Sequence, residues 1–142
     1  MCKEVIEMFV KNGRVQDALG EASRYGDVLA ISDLVRQGAN VNLPNSLGSP
    51  IINLAASGGS VQAIEALLAL GADPNQVCDK SGEHSLFRCL WANHDLETYV
   101  ACCSVLIASG ASIHLRNRDG LLVGDLATQR GVSLASIEDS LS

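Results

Sequence analysis

The residues of this chain best suited to chemistry are five cysteines, Cys2, Cys78, Cys89, Cys102 and Cys103, and three histidines, His84, His94 and His114. A zinc site drawn from His84, Cys89, His94 and Cys102 or Cys103 would need four ligands meeting tetrahedrally, and no Cys-x-x-Cys or His-x-x-x-His spacing supports one. A Cys–His nucleophile pair would need a third group to orient the imidazole, and none suggests itself. An odd cysteine count without framework spacing fits a reducing, cytoplasmic compartment. Cys89, Cys102 and Cys103 fall beside Leu90, Val105 and Leu106 on helix faces, where a free thiol packs as a small hydrophobe. Ser57-Gly58-Gly59-Ser60 lacks the lysine of a phosphate loop and reads as a turn between helices. The histidines sit in turns or loops and read as ordinary surface residues. No catalytic residue, metal ligand or cofactor is expected.

The elements that carry these residues repeat. Gly38-Ala39-Asn40-Val41-Asn42 returns 33 residues later as Gly71-Ala72-Asp73-Pro74-Asn75, and again as Gly110-Ala111-Ser112-Ile113-His114. A phrase recurring at that interval marks an array of one small unit, which buries its apolar face only by stacking on neighbours. Asn45-Ser46-Leu47-Gly48, Asp79-Lys80-Ser81-Gly82 and Asn117-Arg118-Asp119-Gly120 keep the same register. Each opens on an Asx residue and closes on Gly, which predicts a tight turn. Between turns, Ile51, Ile52, Leu54, Ala55 and Ala56 predict a short helix broken at Ser57-Gly58-Gly59. Val61, Ile64, Leu67 and Leu68 then form the stripe of a second helix, capped by Ser60 and ended at Gly71.

Turn, helix, turn, helix and Gly-Ala-Asp in this order resemble the ankyrin-repeat family, with residues 48–75 the best match and about 14–142 covered. The resemblance implies an all-α fold, an ankyrin-repeat solenoid of stacked helix-turn-helix pairs with short turn or hairpin tips. Residues 1–13 are expected to form a capping helix, with Val5, Ile6, Met8 and Phe9 on its apolar side. Residues 14–142 then hold about four repeats, 14–42, 43–75, 76–114 and 115–142. The first has helices near Gln16–Tyr25 and Val28–Gln37. The third is longer, with 39 residues between its glycines, and the extra length falls mostly around 92–97. The fourth ends on a brief polar helix, as a terminal cap requires. The family's Thr-Pro-Leu-His motif is missing: the matching positions are Pro50-Ile51-Ile52-Asn53, His84-Ser85-Leu86-Phe87 and Leu122-Val123-Gly124-Asp125. That puts the hydrogen bonding between repeats, and the stiffness of the stack, in question.

By the same resemblance, the turn tips and the exposed face of each first helix form one concave partner-binding surface. Its tip positions include Ser46, Leu47, Lys80, Glu83, Arg116, Arg118 and Asp119. Its helix positions include Arg24, Tyr25, Ser57, Trp91 and Arg130. Trp, Tyr and Arg are the types most enriched at binding hot spots. Trp91 either reaches solvent and joins in binding or fills a void left by the enlarged repeat. His94, in the inserted segment, is a further candidate, since loops of repeat proteins accept added residues and gain specificity there.

Apolar residues make up 47% of the chain and aromatics only 4%, which suits thin helical layers packed by Ala, Leu, Val and Ile. No apolar run is long enough to cross a membrane. The net charge of −6 opposes a polyanion, so nucleic acid is not the expected partner. The expected partner is another protein, with a basic surface favoured by that charge, and the unbound chain is expected to be a monomer. With no second domain apparent in the sequence, binding itself is the expected output: a non-catalytic inhibitor or blocking partner, of the kind that antidote proteins provide. Alternatives are a secreted effector or adaptor engaging foreign-cell proteins, a metal- or cysteine-dependent enzyme, and a structural self-association module.

Overall fold

The computed structural model of the chain describes residues 2–141; Met1, Ser142 and the side chain of Cys2 lie outside the described residues. Among these the chain is helical throughout, with α1 (Cys2–Lys11), α2 (Val15–Tyr25), α3 (Val28–Arg36), α4 (Ile51–Gly58), α5 (Val61–Ala69), α6 (Ser85–Trp91), α7 (Leu96–Ala108), α8 (Val123–Gln129) and α9 (Leu134–Ser140). The helices pair as α2/α3, α4/α5, α6/α7 and α8/α9, and the pairs stack. One row consists of α2, α4, α6 and α8, the other of α3, α5, α7 and α9, and α1 packs along α2. Between layers the packing is closest for α2 on α4 and α4 on α6, and by the resemblance noted above this first row is the one that lines the hollow side.

Local chemistry explains the boundaries. The second helix of every pair starts on a side-chain cap: Asp27 accepts from the Ala30 amide, Ser60 from Ala63, Asp95 from Thr98 and Ser133 from Ser136. Such a cap satisfies an otherwise orphaned N–H and contributes about 1 kcal/mol. The first helices of the pairs have none; their leading residues Arg14, Pro50, His84 and Leu122 make no side-chain cap bond. Gly26 and Gly59 end α2 and α4 at φ 77° and 73°, a left-handed conformation that costs a side-chain-bearing residue about 1–2 kcal/mol.

The core runs unbroken along the stack. Leu19, Ile52, Leu90 and Leu126 of the hollow-side row and Ile31, Ile64 and Leu106 of the outer row are fully buried, each contributing about 1.5–3 kcal/mol relative to exposure. Between the hollow-side helices the fillers are small, Ala18, Ala22, Ala55 and Ala56. The approach is close enough that a Cβ on Gly58 would stand 1.9 Å from the Arg24 carbonyl oxygen. Ser57 and Gly58 are part of α4; the break falls at Gly59.

The tips hold two single β-bridges, Cys78–Glu83 and Arg116–Leu122. Two of the expected Asx turns close through their own side chains: Asn45 Oδ1 accepts from the amides of Leu47 and Ser49, and Asn117 Oδ1 from those of Asp119 and Leu121. The middle tip closes differently, with the Gly82 amide on the Cys78 carbonyl at 2.7 Å.

Two further expectations are corrected. The added length of the third repeat is divided between a longer connection at 92–95 and a longer second helix: α7 has 13 residues where α3 and α5 each have 9. Hydrogen bonding between repeats is present, carried by other residues than the missing motif. Asn42 donates to the Gly71 carbonyl at 2.9 Å and accepts from the Asp73 amide at 2.9 Å. In the next layer Asn75 does the same to the Gly110 carbonyl and the Ser112 amide, both at 2.8 Å. Asn53, at the motif's histidine position, donates to the Glu83 carbonyl at 3.1 Å. His84, at its threonine position, lies with Nε2 2.7 Å from the Ser112 carbonyl.

Candidate docking surface

The hollow-side helices end side by side, and their last residues supply the surface. Tyr25 closes α2 and is 57% exposed. The Arg24 guanidinium sits 5.2 Å from its ring centroid and pairs with Glu21 at 3.0 Å. One repeat further on, half-buried Ser57 and exposed Gly58 offer no large side chain. In the third repeat Trp91 closes α6 with 45% of its surface exposed. Two aromatic side chains therefore stand one repeat to either side of a low floor.

Trp91 reaches solvent without being free to turn. Its indole N–H donates to Oε2 of Glu83 at 2.7 Å, and the same oxygen accepts from the Asn117 side chain at 2.9 Å. The Arg130 guanidinium lies 5.8 Å from the indole centroid, while Arg130 Nε donates to the Leu90 carbonyl at 2.9 Å. With the N–H engaged inside the protein, the indole offers its apolar face to an incoming molecule.

Glu83 is a correction. Expected at an exposed tip, it is 5% exposed and acts beneath the surface, receiving Trp91 and Asn117 and lying 3.9 Å from Arg88. The other tip positions, Ser46, Leu47, Lys80, Arg116, Arg118 and Asp119, are exposed. Arg118 is laid against the neighbouring tip: its amide donates to the Ser81 carbonyl at 2.9 Å and its Cγ would stand 3.1 Å from a Cβ on Gly82. Arg88, absent from the expected set, lines a hollow of about 180 Å³ with Ser49, Asn53, Leu54, Cys78 and Ser81. The only signal for it was its place on the open side of α6.

The histidines divide. His114 is exposed as expected, but His84 is fully buried, and burial pushes its imidazole below the ordinary 6.5 against the Ser112 carbonyl and the Glu83 charge, which act to raise it. His94 is half-buried, its ring over Gly59 and edge-on to Tyr99 at 5.6 Å. It braces the third repeat against the second and stands less open than an inserted loop suggested. Cys89, Cys102 and Cys103 are buried between α6 and α7. The neighbouring Cys102 and Cys103 thiols, together with burial, push Cys89 far up from its ordinary range, the reverse of what a nucleophile needs. Among the described residues no three His, Cys, Asp or Glu side chains are grouped to hold a metal ion. No helix there is long and apolar enough to cross a membrane.

A family model described as ankyrin repeats in three copies matches residues 19–117. The chain belongs to the ankyrin-repeat family. It is similar to the ankyrin repeat domain-containing protein 37 of Bos taurus, 34% identical over 106 residues, which cover 74% of this chain and 63% of that protein. It is also similar to the mitochondrial disaggregase of Bos taurus, 38% identical over 72 residues, 50% of this chain and 11% of that protein. A third match is the E3 ubiquitin-protein ligase hecd-1 of Caenorhabditis elegans, 28% identical over 124 residues, 82% of this chain and 4% of that protein. The chain thus spans less than two thirds of each of these relatives. Ankyrin repeats make a protein–protein interaction module, typically non-catalytic.

Proposed function

We propose that this chain holds a partner protein in the hollow between Tyr25 and Trp91 and acts by covering the surface it binds, as a non-catalytic inhibitor does. The observation that carries the reading is the fixed exposure of Trp91. A half-exposed indole held by Glu83 and backed by Arg130 loses little freedom on docking, so more of its contact energy remains for binding. Tyr25, braced by Arg24, supplies a second anchor of the same kind. The low floor at Ser57 and Gly58 leaves room for a protruding side chain or turn of the partner.

The test is affinity capture from the native cell with the full chain and with Tyr25→Ala and Trp91→Ala. At least one variant should lose about 2 kcal/mol or more of binding, a hot-spot loss. Titrating the captured protein's own activity against the chain should then give inhibition that saturates at equimolar ratio. Capture unchanged in both variants would place the partner on another face, and binding without loss of the partner's activity would leave a binder that does not inhibit.

A further inference from the structure

The net charge of −6 hides an uneven distribution. The outer helices α3, α5, α7 and α9 carry five carboxylates, Asp33, Glu65, Glu97, Glu138 and Asp139, and a single cation, Arg36, already paired with Asp33. The hollow side of the third and fourth repeats carries five cations, Lys80, Arg88, Arg116, Arg118 and Arg130, beside four carboxylates, Asp79, Glu83, Asp119 and Asp125, of which Glu83 is buried. Among the described residues no carboxylate pairs with Lys80, Arg116, Arg118 or Arg130; Arg116 donates to the Gly120 carbonyl and Arg130 to the Leu90 carbonyl. Arg88 has only the 3.9 Å approach to Glu83. Through the contact of Arg118 with Ser81 and Gly82, the two tips merge into one ridge. Lys80 also borders a groove of about 400 Å³ between the second and third tips, whose apolar walls include Pro44, Pro50 and Val77.

We propose that this ridge receives an acidic peptide segment of the partner, its carboxylates along Lys80, Arg116 and Arg118 and an apolar side chain on the open face of Trp91. The proposal rests on the docking surface described above and names the chemistry that surface selects. Net charge alone favours a basic partner, but at contact range the local field governs, because salt screens charges farther off than about 8–10 Å. The acidic residues of the outer row stand on α3, α5, α7 and α9, while the ridge is built from the tips that lead into α6 and α8. Complementary charge then steers encounter and suppresses wrong partners. A nucleic acid fits less well: Asp79 and Asp119 interrupt the ridge, and a long polyanion extends along the stack into its negative field.

Short random peptides displayed on yeast, sorted against the full chain and against a Lys80→Glu/Arg116→Glu/Arg118→Glu variant, test this. All three positions are exposed, and the one side-chain hydrogen bond given up among the described residues is that of Arg116 to the Gly120 carbonyl in the tip, so the helical circular dichroism of the variant should match the parent; a Lys80→Gln/Arg116→Gln/Arg118→Gln variant repeats the measurement without introduced repulsion. The peptides retained by the parent should be enriched in Asp and Glu and contain an apolar residue. They should shift the emission of Trp91, the one tryptophan of the chain, and bind the charge-reversed variant at least about tenfold more weakly. Retained pools that are neutral or basic overturn the proposal. Acidic pools that depend on Trp91→Ala but not on the ridge variants overturn it while leaving the docking surface standing, whereas pools indifferent to both Tyr25→Ala and Trp91→Ala remove the docking surface itself. A fluorescein-labelled single-stranded DNA that binds as tightly as the selected peptides overturns it in favour of nucleic acid.

Discussion

The indole N–H of Trp91 donates to a carboxylate oxygen of Glu83 at 2.7 Å, tying the half-exposed aromatic anchor of the third repeat to a buried acid eight residues earlier. The same oxygen holds Asn117 of the fourth repeat, so one acid sets the angle of an anchor and joins two layers. Surface and core are coupled at this point.

Replacing that acid should therefore disturb both. Glu83→Ala leaves the Trp91 N–H and the Asn117 amide without their partner, and the expected loss is about 1–3 kcal/mol of stability. Urea titration measures it, and the emission of Trp91 should move to the red as the indole is released. An unchanged emission maximum would mean that the ring is held by packing alone.

Two glycines should respond to alanine for different reasons. At Gly58 the added carbon meets the Arg24 carbonyl oxygen at 1.9 Å, a clash between backbones that forces two layers apart; overpacking of this kind costs about 1–3 kcal/mol or more. At Gly38 nothing lies within 4 Å but φ is 106°, so only conformational strain opposes the change, about 1–2 kcal/mol. Gly58→Ala should also weaken capture of the partner, because it pushes on the Arg24 backbone and so displaces the adjoining Tyr25, and Gly38→Ala should not. Denaturation midpoints and capture measured on both variants separate the two effects.

His84 predicts a pH dependence. Burial lowers its folded-state pKa below the ordinary 6.5, so on acidification the unfolded chain takes up this proton before the folded one does. Stability from this group is complete above pH 6.5 and declines as pH falls below it, since stability rises with pH wherever the unfolded state binds more protons. Urea midpoints across this range, compared with His84→Gln, should show a decline in the parent that the variant lacks. Equal slopes would assign the acid sensitivity to other groups.

The asparagine ladder should unzip layer by layer. Asn75→Ala removes the bonds to the Gly110 carbonyl and the Ser112 amide, and at this exposed position the expected cost is about 1 kcal/mol. The Ser112 amide should then exchange with solvent faster, while the Asp73 amide, held by Asn42, should keep its protection. Amide exchange read by NMR checks both.

Asn42 and Asn75 were visible from the start as members of a recurring phrase, as were the cap Ser60 and the glycine of the Gly-Ala phrase that follows each second helix. These features act within a few residues of themselves, through hydrogen bonds and φ angles that the local chain alone provides, and the number and order of helices followed from them. Buried Glu83 and His84 were not legible as such: next to the turn glycine Gly82, both look like surface residues, and only Ser112 at the end of the third repeat and Asn117 of the fourth, closing over them, make them interior. The cationic ridge escaped for a related reason. Composition sums charge over the whole molecule, whereas binding responds to charge within a Debye length, and the stacking of the third tip on the fourth is what gathers Lys80, Arg116 and Arg118 on one side. Sequence alone determined the repeat, the helices and the residues able to bind, since all of these are short-range properties. Which of those residues face solvent, which support them from below and what charge they jointly present were decided by the packing of one repeat on the next.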